Sequence, residues 1–251
     1  MITVCYNSAK TIIDTLDAVA RQTHLDIEHL VIDGASEDGT TEIVRSHANP
    51  KIRLISESDK GIYDAMNKGL AQATGEVVGF LNSDDFYADS EVLEKIANAF
   101  QDPTVDVCYA DLLYVTQDKS RVVRYWKSKL FTKGDFAKGW CPAHPTFYVR
   151  KSVIECQGLF DQSYKLAADV EFMMRYLERG QVRVAYIPHV FVRMRLGGAT
   201  NQSWKNIMMQ NKEIFAALWK NGVPFSRMWF VANKVVSRLW QFATCRVRRY
   251  H

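Results

Sequence analysis

Amides and carboxylates stand in this chain wherever a strand-like run ends. Asn7 follows the apolar run 2–6, Asp33 closes 29–33, Glu57 to Gly61 follow 52–56, and Asn82-Ser83-Asp84-Asp85 follows 76–81. A lone Asp or Asn favours turns and helix caps for reasons unrelated to chemistry. Polar or acidic groups at four successive strand ends point to a shared site, because loops beyond the carboxyl ends of parallel strands converge on one crevice. Adjacent carboxylates such as Asp84 and Asp85 repel one another unless a cation neutralises them. Their hard oxygens suit magnesium or manganese. A metal there could bridge a diphosphate and stabilise it as a leaving group. The plain alternative is a solvated cap for the helix expected to begin near Ser90.

Placing those groups requires alternating strands and helices, and the pattern supplies them. Ser8 precedes a helix with Ile12, Ile13, Leu16 and Val19 at helical spacing. Further helices are expected around Ile43 and Val44, over 62–73 and over 91–100. Strands separated by single helices imply βαβ units and a largely parallel, doubly wound α/β sheet. After residue 103 the pattern loosens. Residues 106–115 and 121–126 read as a strand pair, 128–138 as a basic loop and 145–150 as a strand. Residues 166–178 form an amphipathic helix bearing Val170, Met173, Met174 and Leu177; 182–187 and 190–195 read as two short strands. From 201 the chain reads as two helices broken at Asn221-Gly222-Val223-Pro224.

Whole stretches sharpen the reading. Val31-Ile-Asp-Gly-Ala-Ser-Glu-Asp-Gly-Thr40, Ser56 to Gly69 with Gly61-Ile-Tyr-Asp-Ala-Met-Asn67, and Gly79-Phe-Leu-Asn-Ser-Asp-Asp85 resemble the family 2 glycosyltransferases, in order and spacing, from residue 2 to about 200. Among these the chain is most similar to bacterial enzymes that assemble exopolysaccharide and O-antigen units. The resemblance implies a GT-A fold over residues 1–200, a Rossmann-like nucleotide-diphospho-sugar transferase, with a C-terminal helical extension over 201–251. It implies an inverting transfer from a nucleotide-diphosphate sugar held through Mn2+ or Mg2+. Asn7 and Asp33 then lie along the nucleoside, Glu57, Lys60 and Asn67 in the donor cleft, and Asp84 and Asp85 at the metal, with Asp85 favoured for direct coordination. Asn82 stands where many members carry a further Asp, so the site holds one negative charge fewer.

An inverting transfer needs a base for the acceptor hydroxyl. The resemblance assigns this role to Asp169, at the start of the helix near 166–178, a position that the helix N-terminus also favours on its own. Glu171, two residues on, is expected to be structural. His144, between Ala143 and Pro145, matches a family position on the acceptor side, although it could equally be a packing residue of a rigid loop. The segment from Arg193 to Thr200 resembles a family loop that closes near the diphosphate, which implies a phosphate contact from Arg193, Arg195 or Thr200.

Composition excludes other classes. A hydrophobic fraction of 47% with 24% charged residues rules out a disordered chain. The 5 cysteines lack any C-x-x-C pair, so neither a disulfide framework nor a zinc knuckle is suggested. No signal-like segment or spanning-length apolar run occurs, which implies a cytoplasmic protein. The net charge of +4 is uneven: after Glu213 there is no acid, while Lys220, Arg227, Lys234, Arg238 and three further arginines follow. With Trp229, Trp240 and Phe242 this reads as a basic amphipathic helix resting on an anionic membrane at the inner face, or as a helix docked on the domain. The acceptor is then a glycan or a polyprenyl-linked sugar, and no nucleic acid is expected. A nucleotidyltransferase would need a Gly-rich loop after the first strand, where Tyr6-Asn-Ser-Ala-Lys10 stands instead. A non-catalytic scaffold would have lost one of Asp84, Asp85 or Asp169, and all are present.

Overall fold

The computed structural model describes residues 1–197 and 203–245, for 240 and 242–245 the main chain only. Three parallel strands, β1 (Ile2–Cys5), β2 (His29–Asp33) and β3 (Ile52–Ser56), are joined by α1 (Ile12–Ala20) and α2 (Thr40–Ser46). Helix α3 (Ile62–Gln72) then leads to β4 (Val77–Gly79) and β5 (Phe86–Tyr87). β1 and β2 are buried along their whole length. That is why they are mainly apolar, as strands covered on both faces must be, although Thr3, His29 and Asp33 are buried with them. Their register aligns Cys5 with Asp33 and Asp33 with Ser56, so three strand ends finish level with one another.

Beyond α4 (Val92–Phe100) the sheet departs from the expected parallel plan. β6 (Val107–Val115), β7 (Val122–Trp126), β8 (Tyr148–Arg150) and β9 (Val184–Arg195) join β4 and β5 in a mixed sheet ordered β4-β8-β6-β9-β5, with β7 on β6. Only β6 and β9 pair parallel there. A parallel bridge from Ile2 to Phe80 connects the two sheets. The short strands expected at 182–187 and 190–195 are one continuous strand, β9, whose register slips opposite Asp111 and so passes Pro188 without a break.

Helix α5 (Lys151–Gln157) follows β8, and the helix expected over 166–178 is α6 (Ala168–Met174) extended by a π-helical turn over Arg175–Arg179. The chain closes with α7 (Trp204–Lys220) and α8 (Arg227–Cys245). Ile214, Ala217 and Leu218 of α7 and Phe230 of α8 belong to the same buried cluster as Ile2, Val4 and Met66. The C-terminal helices are therefore built into the same core as the first strands. Among the described residues no helix is long and apolar enough to cross a membrane.

Candidate active site

One cleft of about 780 Å³ opens where the strand ends meet, running from Tyr6 and Asn7 past Asp84 to Asp169 and on to α8. At its first end Asn7 adopts a left-handed conformation, φ 49°, which Asn tolerates better than most side chains. Its Oδ1 accepts the Glu37 N–H at 3.1 Å, and its own N–H donates to Ser36 Oγ at 2.8 Å. Asp33 is fully buried beneath this turn. Its carboxylate accepts the Ser36 N–H at 3.0 Å, the Ser36 hydroxyl at 2.5 Å and the Ser56 hydroxyl at 2.7 Å. The level strand ends bring Ser56 within reach, so Asp33 organises the loop from beneath. Gly34 has a steric reason: a Cβ there would run into the Asp59 carboxylate, which itself lines the cleft. Asp59 falls within the strand-end run 57–61, but neither it nor Tyr6 stands out there by spacing.

The acidic loop is held from several sides. Thr15 on α1 donates its hydroxyl to the Asp85 carbonyl at 2.7 Å, and Ser8 and Ser83 share a hydrogen bond at 2.8 Å. Asp84 lines the cleft, whereas Asp85 is fully buried behind it. Asp84 is thus the carboxylate on the cleft surface, with Asp85 directly behind it. Burial raises the pKa of Asp84, against the opposing pull of Arg195. It raises that of Asp85 further, helped by the neighbouring charge of Asp84. Neither Asp85 oxygen has a hydrogen-bond partner. The Arg195 main chain and the Asn82 amide approach without completing a bond, and the Asn82 Oδ1 is also buried and unpartnered. Buried polar groups are nearly always satisfied, so unsatisfied oxygens from two residues beside a cleft carboxylate fit a hard divalent cation. Among the described residues no cluster of three acidic, His or Cys side chains surrounds such an ion. Its remaining ligands would have to come from substrate and water.

Across the cleft, Asp169 at the first turn of α6 accepts the Tyr63 hydroxyl at 3.2 Å. Burial and the Asp169 charge both push the Tyr63 pKa up, so this phenol remains a donor. Tyr63 was hidden within the long middle motif, and only folding brings it to Asp169. Glu171 is fully buried and ion-pairs with Arg175 at 3.1 Å, the structural role expected for it. His144 lines the cleft while stacking on Phe80, with ring centroids 5.4 Å apart. Burial lowers its pKa, so the ring is neutral at neutral pH.

Several expected site residues lie elsewhere. The Asn67 amide donates to the Phe160 carbonyl and accepts the Phe160 N–H, each at 2.9 Å, outside the cleft lining. It staples α3 to the loop before α6. Glu57 is exposed and pairs with Lys68 at 3.0 Å, and Lys60 is exposed between the lining residues Asp59 and Gly61. Arg195 reaches the cleft, but its guanidinium is committed: it pairs with Asp14 and donates to the Asp84 carbonyl at 2.5 Å, which holds the acidic loop in place. Arg193 lies outside the lining, and Thr200 lies outside the described residues.

α8 also departs from expectation. Phe230, Lys234, Arg238 and Gln241 form a stripe that faces into the cleft. Met228, Trp229, Val235, Val236 and Leu239 face out, Trp229 with 68% of its surface exposed. The basic face points inward, where Lys234 donates to Asn211 on α7 and the neutral Gln241 accepts from Arg124 on β7. The side chains of Trp240 and Phe242 lie outside the described residues.

Comparison with known proteins agrees with this architecture. A family model described as glycosyl transferase family 2 matches residues 1–157. The PGL/p-HBAD biosynthesis glycosyltransferase of Mycobacterium tuberculosis is 31% identical over 203 residues, covering 78% of this chain and 76% of that protein. Residues 1–349 of S. aureus TarS, solved in complex with UDP-GlcNAc, superimpose with a TM-score of 0.67 at 20% identity, over 98% of this chain and 73% of that one. The mannosyltransferase PcManGT from Pyrobaculum calidifontis, solved with GDP-Man and Mn2+, gives a TM-score of 0.65 at 19% identity, over 98% and 72%.

Proposed function

The chain belongs to glycosyl transferase family 2, and from that premise we propose that it is an inverting glycosyltransferase that uses a nucleotide-diphosphate sugar in bacterial surface-polysaccharide assembly. The observation that carries the reading is the placement of Asp84 and Asp169 in one cleft, each on a different wall. The nucleoside lies against Tyr6, Asn7 and Asp59 over the loop that Asp33 organises. Asp84 and Asp85, with the Asn82 amide oxygen, would hold Mn2+ or Mg2+, which when bound supplies charge neutralisation for the diphosphate. Asp169 takes the proton of the acceptor hydroxyl, and the hydroxyl oxygen attacks the anomeric carbon. The bond from that carbon to the diphosphate oxygen breaks, releasing the nucleoside diphosphate. Tyr63 steadies the carboxylate through its hydrogen bond.

The acceptor is a glycan or a polyprenyl-linked sugar, and the protein works as a peripheral protein at the cytoplasmic face of the membrane. The outward apolar face of α8 supports that placement, since exposed Trp229, Val235, Val236 and Leu239 form an amphipathic helix facing away from the fold. Contact with lipid is then chiefly apolar, rather than the electrostatic attachment that composition suggests. Residues 1–200 form the transferase domain, with the helices beyond 200 completing its acceptor end.

The test is transfer from a panel of radiolabelled UDP- and GDP-sugars with manganese, by the parent and by Asp169→Asn. The amide cannot accept the proton, so transfer should fall by roughly 10²–10⁴-fold while nucleotide affinity holds. Parental rates in the variant would remove Asp169 from the base role.

A further inference from the structure

The acceptor end of the cleft carries a cationic wall for which donor chemistry has no use. Lys234 and Arg238, one helical turn apart on α8, line the cleft together with Arg124 from β7 and Cys141. Lys234 Nζ donates to Asn211 Oδ1 at 2.7 Å and lies 5.3 Å from the Phe230 ring centroid. Arg124 lies over the Tyr114 ring at 4.8 Å and donates to Gln241 Oε1 at 2.6 Å. Asn211 and Gln241 are neutral partners. Among the described residues no carboxylate neutralises Lys234; the charges it senses are those of Arg238 and Arg124. Each of these cations is at least half-buried. Like charges gathered in a partly desolvated wall repel, and an anion bound between them would relieve that repulsion.

We propose that Arg124, Lys234 and Arg238 bind a phosphate or diphosphate group carried by the acceptor, so that the protein selects phosphate-linked acceptor sugars. This rests on the transferase reading above. The donor diphosphate belongs with Asp84 and Asp85, whereas Lys234 reaches Asn211 on α7, the helix packed against α6 and its Asp169, which sets the wall on the side of the base. Guanidinium forks match phosphate oxygens. The outer face of the same helix is apolar, so a lipid chain attached to that phosphate has a surface to follow.

Burial, reinforced by Arg238, lowers the Lys234 ammonium to about 8. The groups facing it are Arg238 on α8, Arg124 on β7, Asn211 on α7 and Cys141 in the loop before His144. The Cys141 thiol is pushed up to about 12 by burial and stays neutral alongside. Lys234 therefore loses its charge as pH rises through about 8, and phosphate binding should weaken there.

The experiment compares parent, Lys234→Gln/Arg238→Gln and Lys234→Arg on one sugar offered as a short-chain prenyl diphosphate ester, as a 1-phosphate and as a neutral alkyl glycoside. The double variant should raise KM for the phosphorylated probes roughly 10- to 100-fold, the range of lost charge-assisted hydrogen bonds, and leave the neutral glycoside unmoved. Lys234→Arg should keep the preference but lose its decline above pH 8. A preference for the prenyl ester over the 1-phosphate identifies a lipid-linked source, and equal use identifies the phosphate alone; both support the wall. Equal KM effects on all probes, or a matching loss of UDP and GDP affinity by calorimetry, would overturn the proposal, the latter by assigning the wall to the donor. If no donor turns over, the transferase reading fails. The wall is then still tested by calorimetric binding of the prenyl diphosphate ester, and unchanged affinity in the double variant refutes it.

Discussion

Asp85→Asn should make the metal-free protein more stable while removing its response to metal. Asp85 is fully buried and neither oxygen meets a donor. An unsatisfied buried polar group costs about 1–3 kcal/mol, and more if charged. Asparagine keeps the volume and removes the charge. Asparagine is still a buried polar group, so only the excess cost of the charge is relieved, about 1 kcal/mol, and in a chain of this size each kcal/mol moves the melting temperature by about 2–4 °C. In the parent, a cation at 100 times its dissociation constant returns about 2.7 kcal/mol, which is of the same order as the buried-charge cost. The assay is thermal unfolding followed calorimetrically in EDTA, then in manganese with UDP. The parent should melt lower in EDTA and rise with metal; the variant should start higher and move little. If the variant in EDTA melts at or below the parent, the oxygens of Asp85 are satisfied in solution and the metal-site argument built on them is wrong.

His29, fully buried with Nε2 at 2.9 Å from Thr3 Oγ1, is pulled by desolvation from 6.5 to about 3. Between those values unfolding takes up one more proton than folding retains, so stability should fall as pH drops, by up to about 1.4 kcal/mol per pH unit. Denaturant unfolding of His29→Gln across that range should show a flatter acid limb, and an unchanged slope would contradict the assignment. Asn67→Ala loses two hydrogen bonds to Phe160, each worth about 0.5–1.5 kcal/mol, so its chemical-denaturation midpoint should drop with m unchanged while nucleotide affinity survives. A selective loss of nucleotide binding would return Asn67 to the donor site. Val235→Asp on the outer face of α8 should reduce sedimentation with lipid vesicles, with little dependence on salt because the contact is apolar. Equal recovery of the variant would separate α8 from the membrane.

Apart from β5, the strands and helices of the first hundred residues were legible in the sequence. Apolar runs ending in Asn7, Asp33 and Asp84 carry their own local signals, and the strand register that aligns Cys5, Asp33 and Ser56 follows from parallel pairing. Which side chain faces the cleft was not legible. Asp84 and Asp85 are neighbours of identical chemistry, and only the packing of their loop against α1 and Arg195 turns one outward and buries the other. Asn67 belongs to the long middle motif, yet its amide is bonded to Phe160, 93 residues away, a contact that spacing cannot foresee. In α8 the periodicity revealed two faces but not their direction. Burial usually takes the apolar face, yet here the stripe with Lys234 and Gln241 turns inward to Asn211 and Arg124 and leaves Trp229 and Leu239 to solvent. Local pattern determines which elements form, because a hydrogen-bonded helix or strand needs only its own residues and their periodicity. The tertiary structure decides what each face meets, because that depends on surfaces brought together from distant parts of the chain.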